Sequence, residues 1–245
     1  MIPETIATAA CATAGLLAYA VRSRSSRILA PSVCQGPRTR TAIALTFDDG
    51  PSESTPELLA LLAQFGVKAT FFQVGANVRR LPDVAQAVAA SGHDLGNHTQ
   101  NHAALYLKSS KFIYDELAEA QESIGEVTNI RAEYFRPPYG ARWFGLRAAQ
   151  RKLKLQGVMW SCIGLDWRLP TERIVSRLSR NLFSGSIHCL HDGRQTQVRP
   201  NVRPTIEAVR ILIPEALERG FEFVTISELL CPPNHSSTPP PPQAG

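Results

Sequence analysis

The sequence predicts an α/β fold in which about seven parallel strands alternate with helices and close into a (β/α) barrel. Two observations carry this. Between roughly residues 41 and 231, short apolar runs alternate with segments whose apolar residues recur at helical spacing. The polar clusters Asp48-Asp49, His98, Arg136, Asp166 and His191 also follow the C-terminal ends of those runs. In a barrel such ends gather around one mouth, whereas in an open doubly wound sheet they spread along an edge. Five ends contributing to one site favour the barrel.

The elements follow in order. AIALTF (42–47) reads as a strand and TPELLALLAQFG (55–66) as a helix stopped by Gly66. ATFFQVG (69–75) is the next strand, and LPDVAQAVAASG (81–92) is a helix with proline near its start and glycine at its end. HDLGNH (93–98) is strand-like, residues 111–127 are helical, and EYFRPP (133–138) is a strand that runs into prolines. Helix 145–155 leads to strand 156–162, helix 171–182 to strand 186–192, and helix 202–220 to the last strand, 221–226.

Three segments follow from composition. Residues 1–37 hold an apolar, alanine-rich run at 5–21 and a basic RSRSSR stretch at 22–27. The run is at the short edge for a membrane span and resembles a signal-peptide core, but no Lys or Arg precedes it. The basic stretch conflicts with simple export under the positive-inside rule. The expectation is a targeting or membrane-associated segment and a location at the cell envelope or membrane. Residues 38–231 hold the alternating strands and helices and are expected to form one domain. Residues 232–245 are Pro/Ser-rich, cannot bury a core and read as a disordered tail containing His235.

The chain of 245 residues, 44% hydrophobic and 19% charged, can fill a large core. Its net charge of +5 suits an anionic surface, but no nucleic-acid-binding motif is present, so nucleic acid is not an expected partner. The five cysteines match no zinc framework. Cys162 and Cys189 read as buried thiols, and Cys34 and Cys231 flank the domain and would be available to pair if the chain were exported.

His98 and His102 stand at i, i+4, which on a helical turn would put two imidazoles on one face within reach of one metal. A third ligand is needed, and Asp49 is the economical candidate. Two histidines and a carboxylate leave positions open, as a catalytic divalent ion requires.

TFDDGP (46–51), GHDLGNHTQNH (92–102), RPPYG (136–140), LDW (165–167) and LHDG (190–193) occur in this order. Together they resemble the polysaccharide deacetylase (NodB-homology) domain of carbohydrate esterase family four, over about residues 41–230. The first two motifs are highly specific as a pair, and the last two are weak alone. The resemblance implies a distorted (β/α) barrel and metal-dependent removal of acetyl groups from a glycan such as peptidoglycan or a chitin-type oligosaccharide. It implies Asp49, His98 and His102 as metal ligands, with zinc the first expectation and cobalt or a similar ion the alternative. Asp48 would be the general base, and Arg136 would pair with it and aim it. The backbone N–H of Tyr139 would meet the oxyanion, His191 would be the general acid, Asp166 would orient His191, and Trp167 would wall the acetyl methyl. The chemistry is consistent: a metal makes water more acidic, and a neighbouring carboxylate accepts its proton. The adjacent acids thus divide the work, one on the cation and one on the proton.

Two positions depart from the family pattern. Ile163 stands where an acid is common, and Cys189 stands where a leucine is common. With ligands, base and acid intact, the expectation is an active enzyme. The alternatives are an O-acetyl esterase on xylan-like polymers and an inactive carbohydrate-binding barrel. His93 and His188 read as structural histidines, His188 because it falls in step with Leu190 rather than His191.

Overall fold

Strand β2 (Ala42–Asp48) organises the molecule, and all seven of its residues are buried. Its side chains alternate between two faces. Ile43, Leu45 and Phe47 point outward into the largest apolar cluster, beneath the helices. Ala42 and Ala44 belong to a second cluster on the opposite, inner face. By the same alternation Thr46 and Asp48 face inward, so the alternation of β2 alone delivers Asp48 into the barrel.

The computed structural model describes residues 2–231. In chain order, the elements up to β4 are α1 (Ile2–Arg22), β1 (Ser32–Val33), β2, α2 (Thr55–Gln64), β3 (Thr70–Gln73), α3 (Gly75–Arg80), α4 (Pro82–Ala90) and β4 (Asp94–Asn97). Next come α5 (Ser110–Thr128), β5 (Tyr134–Phe135), a 3-10 turn (Pro138–Gly140), α6 (Leu146–Leu153), β6 (Gln156–Val158) and β7 (Cys162–Ile163). The described residues end with α7 (Thr171–Ser179), β8 (Ile187–His191), α8 (Arg203–Glu218), β9 (Glu222–Phe223) and α9 (Ile226–Leu230).

Eight strands run in the order β1-β6-β5-β4-β3-β2-β8-β7, every pair parallel, and β9 pairs with the start of β2. The arrangement is a parallel half-barrel with helices around it, as expected of a distorted barrel. The open seam is bridged where Gly36 N–H donates to Gly185 O at 2.8 Å and Gln35 pairs with Ser186. Ile226 and Leu229 of α9 fill the inner face left by Ala42 and Ala44.

Several boundaries differ from those predicted, for local reasons. The run 156–162 divides into β6 and β7 because the Val158 and Met159 carbonyls accept from Arg136, and the chain then changes neighbours from β5 to β8. The last strand stops at Phe223 because Thr225 and Glu228 form a capping box that starts α9. β1 has only two residues, too few for a period to be read. Ser32 and Val33 nonetheless join the sheet beside β6.

The run 5–21 lies within α1, whose last turn packs on the domain: Ala20 and Val21 cluster with Leu29 and Ala141, and Arg142 N–H donates to Val21 O. No helix among the described residues is long and apolar enough to cross a membrane. Cys34 and Cys231 are free cysteines. The Pro-rich tail lies outside the described residues.

Candidate active site

The acid pair sits where β2 ends. Asp48 is its last residue, and Asp49 turns away with φ +72°, a conformation that costs a non-glycine residue free energy. Neighbouring contacts hold it there. Asn77 Nδ2 donates to Asp49 O at 2.8 Å, and Gln195 N–H donates to Asp49 Oδ2 at 2.8 Å. Gly193 packs so closely against the Asp49 backbone that a Cβ there would collide with its carbonyl.

Asp48 Oδ1 accepts from Arg136 Nη1 at 2.7 Å. The Arg136 guanidinium is wholly buried, and each of its nitrogens is engaged: Nε with Val158 O, Nη1 with Thr46 Oγ1 and Asp48, Nη2 with Met159 O. It also stacks on Phe72, with its carbon 4.1 Å from the ring centroid. A buried cation with this many acceptors fixes the direction of Asp48.

His98 and His102 converge as the spacing suggested, but not on a helix. Residues 98–102 form a loop in which Thr99 (φ +67°) and His102 (φ +54°) are left-handed. Asn97 Oδ1 accepts from Thr99 N–H, and Glu116 carboxylate oxygens accept from Asn101 N–H and Nδ2. These side chains pull the loop into a bend that brings the imidazoles together. His98 Nδ1 lies 2.7 Å from Arg136 O, which can only accept, so Nδ1 carries the proton and Nε2 presents its lone pair.

Asp49 Oδ1 lies 3.3 Å from His98 Nε2 and 3.0 Å from His102 Nε2, and it lacks a well-formed hydrogen-bond partner. Donors around a tetrahedral ion with bonds of about 2.0–2.1 Å are separated by about 3.3 Å. The three residues therefore fit a divalent cation in spacing and donor type. Burial works to raise the Asp49 carboxyl, but the two imidazoles and the charge at His191 hold it well below the usual carboxylate range.

Opposite stands β8, where Asp48 and His191 are cross-strand neighbours. His191 Nδ1 lies 2.8 Å from Asp166 Oδ1, and Asp166 Oδ2 accepts from His191 N–H and from Thr205 Oγ1. Burial opposes a charge on His191, but Asp166, with Asp49 and Asp48, raises it to about 9. Burial likewise works against the Asp166 carboxylate, and His191, Arg194 and Thr205 together more than offset it, so its value falls. Trp167 is 47% exposed at the rim and stands edge-on to His191, with centroids 5.1 Å apart. Tyr139 has φ +58° and its ring meets that of His102, while the amides of Gly140 and Ala141 donate back to Pro137 and Pro138.

These groups line one groove of about 1120 Å³, walled also by Trp160, Leu165 and Ile163. Arg22 and Arg168 stand on its rim and form no ion pair among the described residues. All nine residues singled out in the sequence reach it except Arg136, which sits behind Asp48. The sequence did not reveal the bracing by Asn77, Gln195 and Glu116, since these partners lie far from the motifs along the chain. Nor did it place Cys189 against Asp48, although alternation along β8 puts Cys189 in step with His191.

His93 and His188 are structural. His93 Nδ1 accepts from Ala69 N–H, and His188 Nε2 lies 3.1 Å from Asn181 O. Burial lowers both to about 4.

The sequence profile described as polysaccharide deacetylase matches residues 35–158. A peptidoglycan-N-acetylglucosamine deacetylase of Bacillus cereus is 34% identical over 198 residues, covering 79% of this chain and 90% of that protein. A chitooligosaccharide deacetylase of a Bradyrhizobium species is 34% identical over 197 residues, covering 77% of this chain and 90% of the relative. Among solved structures, the Bc1960 peptidoglycan N-acetylglucosamine deacetylase superposes with a TM-score of 0.75 at 30% identity, covering 80% of this chain and 91% of that one.

Proposed function

The chain belongs to the polysaccharide deacetylase family, and we propose that it hydrolyses the acetamido groups of an envelope glycan, releasing acetate and leaving a free amine on the sugar. The observation that carries the reading is the convergence of Asp49, His98 and His102 on one point beside Asp48. The ion is zinc on this reading, because an Asp-His-His set with these separations suits four-coordinate zinc with an open position. When bound, it supplies Lewis acidity, making water more acidic and polarising a carbonyl.

The chain's own residues do the rest. Asp48 Oδ2 takes a proton from the attacking water while Oδ1 stays on Arg136. The backbone N–H of Tyr139 donates to the oxygen that gains charge at the acetyl carbon. His191 Nε2 delivers a proton to the departing sugar nitrogen, with Asp166 holding the ring through Nδ1. Trp167 bounds the space beside the acetyl methyl.

Peptidoglycan is the favoured polymer over a neutral chitin-type oligosaccharide, because Arg22 and Arg168 present positive charge at the groove rim with no ion pair among the described residues, suited to a carboxylate-bearing strand. The apolar stretch 5–21, whose helix docks beside that rim, is read as the segment that keeps the domain at the envelope. The test is acetate release by the full chain, stripped of metal and resupplied with zinc, from peptidoglycan, N-acetylglucosamine oligomers and acetylated xylan. Zinc-dependent release from the N-acetylated polymers, greatest from peptidoglycan, is expected. Release from xylan alone would replace the amidase reading with an O-acetyl esterase, and release from none would refute both.

A further inference from the structure

Cys189 is the one inward-facing thiol beside the reaction centre, and the proposed chemistry does not use it. Its Sγ lies 3.4 Å from Asp48 Oδ2, on the side of the carboxylate away from Arg136. His191 follows two residues later on the same face of β8. One donor atom from each of Asp48, Cys189 and His191 lies within 4.8 Å of the other two. We propose that these three residues form a second cation site, selective for thiophilic divalent ions, whose occupation inhibits the enzyme.

The oxygen–sulfur separation supports this. With metal–oxygen and metal–sulfur bonds of about 2.0 and 2.3 Å, a tetrahedral ion separates its oxygen and sulfur donors by about 3.5 Å. The observed separation is 3.4 Å. His191 becomes a ligand once its Nε2 proton leaves. Its Nδ1 is held by Asp166 Oδ1, leaving Nε2 outward, which is the carboxylate–histidine arrangement that supports metal-bound imidazoles. Sulfur in the set favours soft ions such as cadmium, or zinc in excess, over magnesium or calcium. Binding expels two protons, the thiol proton of Cys189 and the Nε2 proton that His191 carries below about pH 9, and leaves one proton on His191 Nδ1.

The second ion is the weaker binder. Arg136 occupies the other oxygen of Asp48, and an ion at Asp49, His98 and His102 stands close by, since His98 Nε2 is 4.0 Å from Asp48 Oδ2. Paired ions about 3.5–4 Å apart are nevertheless a known arrangement in hydrolases. Inhibition follows because the ion takes Asp48 Oδ2 and His191 Nε2 together. That consequence rests on the proposed hydrolytic function, whereas occupancy does not.

The experiment is a cadmium titration of full-length protein carrying one equivalent of zinc, read by bound-metal stoichiometry and by the ultraviolet thiolate-to-cadmium charge-transfer band. Cadmium exchanging into the Asp49 site meets no sulfur and gives no band. Wild-type protein is expected to bind a second equivalent with the band. Cys189→Ala and Cys189→Ser are expected to lose that increment while keeping the first equivalent. At cadmium about ten times its dissociation constant, acetate release should fall about tenfold in wild type and stay near its own starting value in Cys189→Ala. A band of equal size in wild type and Cys189→Ala, arising from the other cysteines, would overturn the proposal, as would no band at all. If the protein releases no acetate under any condition, the proposed function fails, while stoichiometry and band still decide whether the site exists.

Discussion

The two walls of the groove are built differently. On the β2–β5 side, Asp48, Asp49, His98 and Arg136 are buried, and each is tied to backbone or to a buried partner. On the β7–β8 side, Trp167 is half-exposed, His191 keeps some access to solvent, and Ile163, Leu165 and Arg168 face an open groove. The first wall is over-determined, and even its strained residues, Asp49 and His102, are clamped by contacts on several sides. The second wall is less enclosed, and both departures from the family pattern, Ile163 and Cys189, lie on it, Cys189 fully buried against Asp48. The comparison teaches that the proposed metal ligands and base belong to a fixed, buried wall, whereas the proposed acid, His191, shares a more open wall with residues that face the groove.

Substitutions on the buried wall should have the larger effects. Arg136→Met removes one partner of a buried ion pair and leaves Asp48 unpaired, so it should destabilise the fold by about 3–5 kcal/mol. Urea unfolding measures this, and a loss under 1 kcal/mol would mean that Asp48 finds another donor. On the open wall, Asp166→Asn removes the charge that holds the His191 proton. The folded value of His191 is raised to about 9, so activity should persist through neutral pH and fall as pH climbs through about 9. By the same linkage the His191–Asp166 pair contributes stability in full below about pH 6.5 and loses it on passing about 9. In Asp166→Asn the alkaline limb should move to lower pH, and a pH–rate profile identical to wild type would remove His191 as the acid. The smallest effect belongs to Trp167→Ala, expected to raise KM several-fold with little change in the profile, because Trp167 touches the ring of His191 only edge-on. A KM unchanged on every polymer would take Trp167 out of the glycan contact.

What the sequence made legible follows the same division. The acid pair, the two histidines and the RPPYG turn could be read because each motif is local and follows a strand, and for the acid pair the period-two alternation of β2 also assigns the faces. The path that joins His98 to His102 could not be read. It depends on left-handed Thr99 and His102 and on Glu116, which belongs to a distant helix. The split of 156–162 was hidden for a similar reason, since the carbonyls that interrupt the strand turn to Arg136, about twenty residues upstream. The docking of α1 through Val21 and Arg142 likewise depends on a long-range contact.

The central claim is that Asp48 moves the proton while Asp49 holds the ion. The most direct measurement pairs zinc content with acetate release in Asp48→Asn, using a peptidoglycan substrate. The account predicts one bound zinc, as in wild type, with kcat reduced about 10²–10⁴-fold. A variant that keeps its zinc and still releases acetate at the wild-type rate would contradict it.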